Sequence, residues 1–228
     1  MTTLRPYKVY MRPQKSLLSE LTNLPGIEIT VLNIIQSGST YKTLAHATTS
    51  GNLKFYQVLE EMKFKNEILD FKVLNKNKQS VTFILERDYC TFYDYTLGTG
   101  RFILFPYVIK KGTRKFFIIS EEEPSILLDR LKKYGTVTRM EKVLLTDALK
   151  DSYALLMRTD LLSKLTPLQR KILSKAIIKG YFDWPRKYSL SDLSQELGIS
   201  KATLAEHIRR SESKILKYLL EGGEGFTE

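Results

Sequence analysis

The chain has 228 residues, 43% of them hydrophobic, enough for one large core or two modest ones and expected of a folded globular protein. No apolar run approaches the roughly 20 residues that span a bilayer, and the start of the chain lacks an apolar signal core, so a soluble, cytoplasmic protein is expected. One cysteine, Cys90, and two histidines, His46 and His207, exclude an intrachain disulfide and a Cys/His zinc site, while 36 basic against 25 acidic residues leave a net charge of +11 that favours a polyanionic partner.

The part up to residue 143 is rich in β-branched and aromatic residues. Alternation predicts strands at 27–35, 41–48, 81–86, 102–109 and 115–119. Helical patterns fall at 53–64, opened by Ser50, Gly51 and Asn52, and at 124–134, opened by the acidic run 121–123 and stopped by Gly135. The order strand, strand, helix, strand thus occurs twice, from 27 to about 74 and from 102 to 143, with an additional strand at 81 between. The expectation is an α+β domain over residues 1–143, resembling tandem ferredoxin-like or ACT-like units, with a sensory or dimerising role.

Between the two copies, residues 87–101 mix aromatics, charges and glycines. As a ligand pocket for a small-molecule effector, Phe92, Tyr93 and Tyr95 would line it and Asp94 or Arg101 would orient a polar group. As a linker, the same aromatics would pack against the sheets. Both readings stand at this point. Cys90 reads as a small, half-buried residue among these aromatics.

Residues 144–164 form a connecting helix, capped from Thr146 and Asp147, with Leu149, Tyr153, Leu156 and Met157 at helical spacing. It serves either interdomain packing or the seam of a homodimer.

Residues 165–228 carry the constellation with function. Thr166 and Pro167 start a helix whose stripe is Leu168, Ile172, Leu173, Ala176 and Ile177, and Gly180 ends it. Ser189 caps a short helix, 190–197, with Leu193 and Leu197 inward, and Gly198, Ile199 and Ser200 make a glycine turn between steeply crossing helices. On the third helix, about 201–219, Leu204, Ile208, Ser211, Ile215 and Leu219 share the core stripe. The opposite face gathers Ala202, Glu206, Arg209, Arg210 and Ser213.

Small residues at the start of that helix admit it to a major groove about 12 Å wide, where arginine bonds guanine edges, glutamate accepts from cytosine and methyl groups touch thymine. Ala202, Thr203, Ala205, Glu206 and Arg209 are therefore the base-reading candidates. Ser200, Lys201 and Arg210, with Arg186 and Lys187 on the connector, are candidates for DNA phosphates. Residues 166–220 hold eleven Lys/Arg and five Asp/Glu, so +6 of the net charge sits in about a quarter of the chain, and binding should weaken steeply with salt.

The runs 165–170, 180–186, 193–201 and 207–212 closely resemble the bacterio-opsin-activator type of archaeal helix-turn-helix regulators. That resemblance implies a transcription regulator whose C-terminal domain binds promoter DNA as double strand and whose N-terminal domain senses a signal. The family commonly has a small residue where Ser194 stands. An alternative reading is a protein-interaction module that docks on the basal transcription machinery through the aromatic N-terminal domain, with only non-specific DNA binding. No Walker loop, G-x-S-x-G elbow or H-E-x-x-H motif is present, so neither an enzyme nor a cofactor is expected.

Overall fold

A computed structural model describes residues 4–49, 55–76, 80–98 and 100–221. The chain divides into two compact units, residues 1–156 and 157–228. Among the described residues no helix is long and apolar enough to cross a membrane.

The first unit is built on eight antiparallel strands: β1 Arg5–Pro13, β2 Ile27–Ser37, β3 Thr40–Thr49, β4 Asp70–Lys76, β5 Ser80–Asp88, β6 Arg101–Lys110, β7 Thr113–Ser120 and β8 Gly135–Lys142. Helices α1 Leu17–Leu21, α2 Phe55–Phe64, α3 Thr91–Thr96 and α4 Pro124–Lys132 join them. Period-two alternation decides the buried side. Tyr7, Val9 and Met11 of β1, Phe83 and Leu85 of β5, and Phe116 and Ile118 of β7 enter one core with Leu18, Leu59, Phe92 and Leu127 from the four helices.

The five expected strands form, each extended by one or more residues at its ends. Three elements were not expected: β1, the short helix α1 and α3. β1 alternates as clearly as the others, but it lies in a short terminal stretch that carries two prolines and several charges. Within 87–101, where a loop was expected, the run from Thr91 closes one and a half helical turns as α3. The proposed opening of α2 at Ser50, Gly51 and Asn52 lies outside the described residues.

Sheet order is β4-β5-β3-β2-β6-β7-β1-β8. Along the chain the order β-α-β-β-α-β occurs twice, from β1 to β4 and from β5 to β8. In space β5 lies between β4 and β3 of the first run, and β1 lies between β7 and β8 of the second. The two runs have exchanged their first strands. They meet where β2 pairs with β6, Ile29 opposite Ile109. The repeat therefore starts at β1, earlier than the sequence pattern indicates.

Helix α5 runs from Leu145 to Lys164, with Asp147 in its first turn rather than at its cap. Ala148 and Ser152 are buried, and Asp151 bonds Lys8 at 3.0 Å and stands 3.7 Å from Lys115. Leu145, Leu149, Tyr153, Leu156 and Met157 are exposed.

The second unit contains α6 Pro167–Ile178, α7 Leu190–Leu197 and α8 Lys201–Glu221. Its core is Ile172, Ala176, Leu193, Leu204 and Ile208, flanked by Tyr181, Tyr188, Leu190, Leu197 and Ile199. The stripe of α6 differs from the pattern expected: Leu168 and Ile177 are exposed, and Gln169 is buried in their stead. The cause is the cap, because Gln169 turns back to the Thr166 amide at 3.0 Å. On α8 the stripe fades after Ile215, and Leu219 is exposed.

Candidate nucleic-acid interface

Each helix of the second unit is started by a side-chain cap, which fixes where the next one begins. Thr166 Oγ1 accepts from the Gln169 amide at 3.2 Å, and Ser189 Oγ accepts from the Asp192 amide at 3.2 Å while the Asp192 carboxylate accepts from the Ser189 amide at 2.9 Å. The Ser189 hydroxyl, which donates to the same carboxylate at 2.6 Å, and then the Ser189 amide hold the Asp192 carboxyl below its ordinary range. Gly198 closes α7 with φ of 65°, a left-handed residue that costs glycine nothing.

Ser194 then donates its hydroxyl to the Ile199 carbonyl at 2.6 Å. The Ser194 hydroxyl thus adds a bond across the turn. Ser200 Oγ accepts from the Thr203 amide at 3.2 Å and shares a 2.8 Å bond with its hydroxyl, so α8 is started by two hydroxyls.

Leu204 and Ile208 anchor α8 in the core, which turns Lys201, Ala202, Thr203, Ala205, Glu206, Arg209 and Arg210 to solvent. All five base-reading candidates are therefore exposed on one helix. Two of the polar residues are not independent: the Glu206 carboxylate pairs with Arg210 one turn on. His207 is half-buried, and Ser211 is buried with its hydroxyl donated to the His207 carbonyl at 2.7 Å. Between the start of α6 and the outer face of α8 an open groove of about 610 Å³ has Arg209, Arg210, Lys214 and Lys217 along its wall. Lys214 Nζ is held there by the Lys164 carbonyl at 3.0 Å and Gln169 Oε1 at 3.2 Å.

The connector candidates are exposed as well, but both are occupied. Arg186 stacks its guanidinium 4.3 Å from the Tyr181 ring centroid. Lys187 bonds Asp183 at 2.8 Å, which raises its ammonium above the ordinary value and keeps it charged. Beside them Trp184 stands almost wholly exposed, with Phe182, Ile177 and Ile178 also exposed; the sequence pattern places Ile177 in the core stripe and assigns no role to the other three.

In the first unit the five ligand candidates fall into two environments. Phe92 and Tyr93 are buried in the core, with Tyr93 hydroxyl 2.8 Å from that of Tyr107. Tyr95 and Arg101 lie together at the surface side: the Arg101 guanidinium is 4.1 Å from the Tyr95 ring centroid and 3.1 Å from Glu122, whose carboxylate also accepts from Tyr95 at 2.6 Å. Burial, then the Glu122 bond, pushes the Tyr95 phenol well up. Asp94 is exposed and accepts from the Tyr89 hydroxyl at 2.8 Å.

Sequence reasoning overlooked Arg114, which is buried against Phe92. The signal was present, since Arg114 shares its parity on β7 with the core residues Phe116 and Ile118. Among the described residues no group of three His, Cys, Asp or Glu gathers as a metal would require.

Comparison with known proteins concentrates on the second unit. A family model described as an HTH DNA binding domain matches residues 165–217. The chain is 44% identical over 54 residues to the dimethyl sulfoxide reductase transcriptional activator of Halobacterium salinarum, covering 24% of each chain. It is 34% identical over 58 residues to the transcriptional regulator NarO of Haloferax volcanii, 25% of this chain and 28% of that one. It is 31% identical over 64 residues to the bacterioopsin transcriptional activator of Halobacterium salinarum, 28% of this chain and 10% of that one. The shared segment thus spans well under a third of these relatives. No solved structure matches the chain.

Proposed function

Residues 165–217 are a helix-turn-helix DNA-binding domain of the bacterio-opsin-activator type, and from that premise we propose that the chain is a sequence-specific transcription regulator that reads promoter DNA with α8. The observation that carries this reading is the outward face of α8. Leu204 and Ile208 hold the helix by one side, and Ala202, Thr203, Ala205, Glu206 and Arg209 stand exposed on the other. Those are side chains that fit and read a major groove. Ser200, Lys201, Arg210, Arg186 and Lys187 contact phosphates in this reading, supplying affinity without sequence information.

The first unit then serves as the sensory or dimerising part. Its two βαββαβ runs read as ferredoxin-like units that have traded first strands. The apolar stripe of Leu145, Leu149, Tyr153 and Leu156 supports a homodimer seam on α5. A second reading, docking on the basal transcription machinery, draws on the exposed Ile177, Ile178, Phe182 and Trp184.

Genome-wide binding of the tagged protein, followed by affinity for the best site and for random duplex at two salt concentrations, tests the proposal. The expected result is a recurrent short motif bound about 10³-fold or more tightly than random DNA. Uniform, salt-sensitive binding would sink the sequence-specific reading and leave the docking one.

A further inference from the structure

Arg114 is the one arginine of the first unit whose whole side chain sits in the core, 3% exposed, on the side of β7 that carries Phe116 and Ile118. Its guanidinium carbon lies 4.4 Å from the ring centroid of Phe92, 5.5 Å from that of Tyr93 and 5.7 Å from that of Tyr107. Nη2 donates to Ser16 Oγ at 3.2 Å, whereas Nε and Nη1 are buried with no acceptor. On β5, Arg87 brings a second guanidinium to within 5.1 Å of the same Tyr93 ring, and its Nε is also buried with no acceptor.

Two cations therefore flank one aromatic ring, and no carboxylate pairs with either among the described residues. Buried charge is ordinarily paired. The aromatic faces return part of the desolvation of a guanidinium, but a guanidinium carries five donors, and π-faces leave most of these without an oxygen. The neighbouring hydroxyls do not supply a negative charge either: burial pushes the Tyr107 phenol well above its ordinary value, so it stays neutral.

We propose that Arg114 and Arg87, around the rings of Phe92, Tyr93 and Tyr107, form an internal oxyanion site that takes the carboxylate or phosphate group of a small effector. The fork of a guanidinium matches both groups in two-point fashion. Phe92 and Tyr93 belong to α3, a six-residue helix whose first residue follows Cys90 with no side-chain cap. The inference rests on the sensory reading of the first unit and gives it a chemistry.

The full chain, labelled at arginine for Nε–Hε resonances, is titrated with acetate, succinate and inorganic phosphate at ionic strength held constant by chloride. The expected result is a saturable shift of the Arg114 resonance, assigned from Arg114→Lys, by at least one of the three, with a matching rise in melting temperature. A response to carboxylates alone or to phosphate alone identifies the source of the oxyanion, and each supports the site. Arg114→Lys and, should that variant not fold, Arg87→Gln should weaken binding tenfold or more. No shift beyond the chloride control, or binding unchanged in both variants, overturns the site.

Promoter affinity measured with and without saturating anion separates the two layers. Binding that leaves promoter affinity unchanged upholds the site and removes the sensory role; specific promoter binding with no anion response removes the site and leaves the regulator.

Discussion

Glu206 and Arg210 are tied to one another on the outer face of α8, so the charge that α8 presents depends on which partner DNA captures. Replacing Glu206 with Ala frees Arg210 and removes a negative charge from the face. The expected outcome is tighter binding to random duplex together with an altered base preference, read by selection from a randomised library. Arg209 has no such tether among the ion pairs of the described residues. Arg209→Ala should relax preference at one base position and cost about 1–3 kcal/mol on the best site. Lys201→Ala, by contrast, should weaken all sequences alike and reduce the salt slope by about 1. At this scale the exposed face of α8 was legible because its core stripe is periodic. The ion pair within it and the bonds already held by Arg186 and Lys187 were not, because spacing places residues on a face without saying which of them are already engaged.

The turn between α7 and α8 depends on two small features. Gly198 has open space where a Cβ would stand, so Gly198→Ala meets only the cost of a left-handed alanine, about 1–2 kcal/mol. Ser194→Ala should lose about 1 kcal/mol with the bond to Ile199. Thermal melting of each variant checks both. On α5, the Lys8 bond holds the Asp151 carboxyl below its ordinary value. A depressed carboxyl contributes stability that is complete above the unfolded value of 3.8 and is lost as pH falls through the lower folded value. Asp151→Asn should therefore flatten the acid limb of a stability-versus-pH curve and leave its shape near neutrality unchanged. Strands declared themselves by alternation, and caps by Thr166, Ser189 and Gly198. β1 did not, because prolines and charges at its ends mask a buried set of only Tyr7, Val9 and Met11. The shift of the α6 stripe was hidden for another reason: Gln169 is polar and is buried by its bond to the cap, which no hydrophobic pattern registers.

The first unit is one sheet made from two interleaved runs, and neither run contains its own third strand of the ladder. β4 reaches β3 only through β5, and β8 reaches β7 only through β1. Residues 4–76 expressed alone keep the β2–β3 pair but lose every native partner of β1 and β4, so they should show less strand signal by circular dichroism than the same residues contribute in the full chain and should melt at a lower temperature. In the full chain, strand signals from both runs should melt in a single transition. Duplication was visible from the repeated order of elements, but the exchange was not, since strand pairing between distant segments leaves no periodic mark. That exchange also sets a timetable for biosynthesis. β1 leaves the ribosome first, yet its partners are Phe116 opposite Val9 on one edge and Met140 opposite Val9 on the other. At about 5–20 residues per second, the strand waits many seconds with both edges and its apolar side open. The closure that follows is long-range and therefore slow, and until it is complete the apolar side of the nascent first run stays open to aggregation.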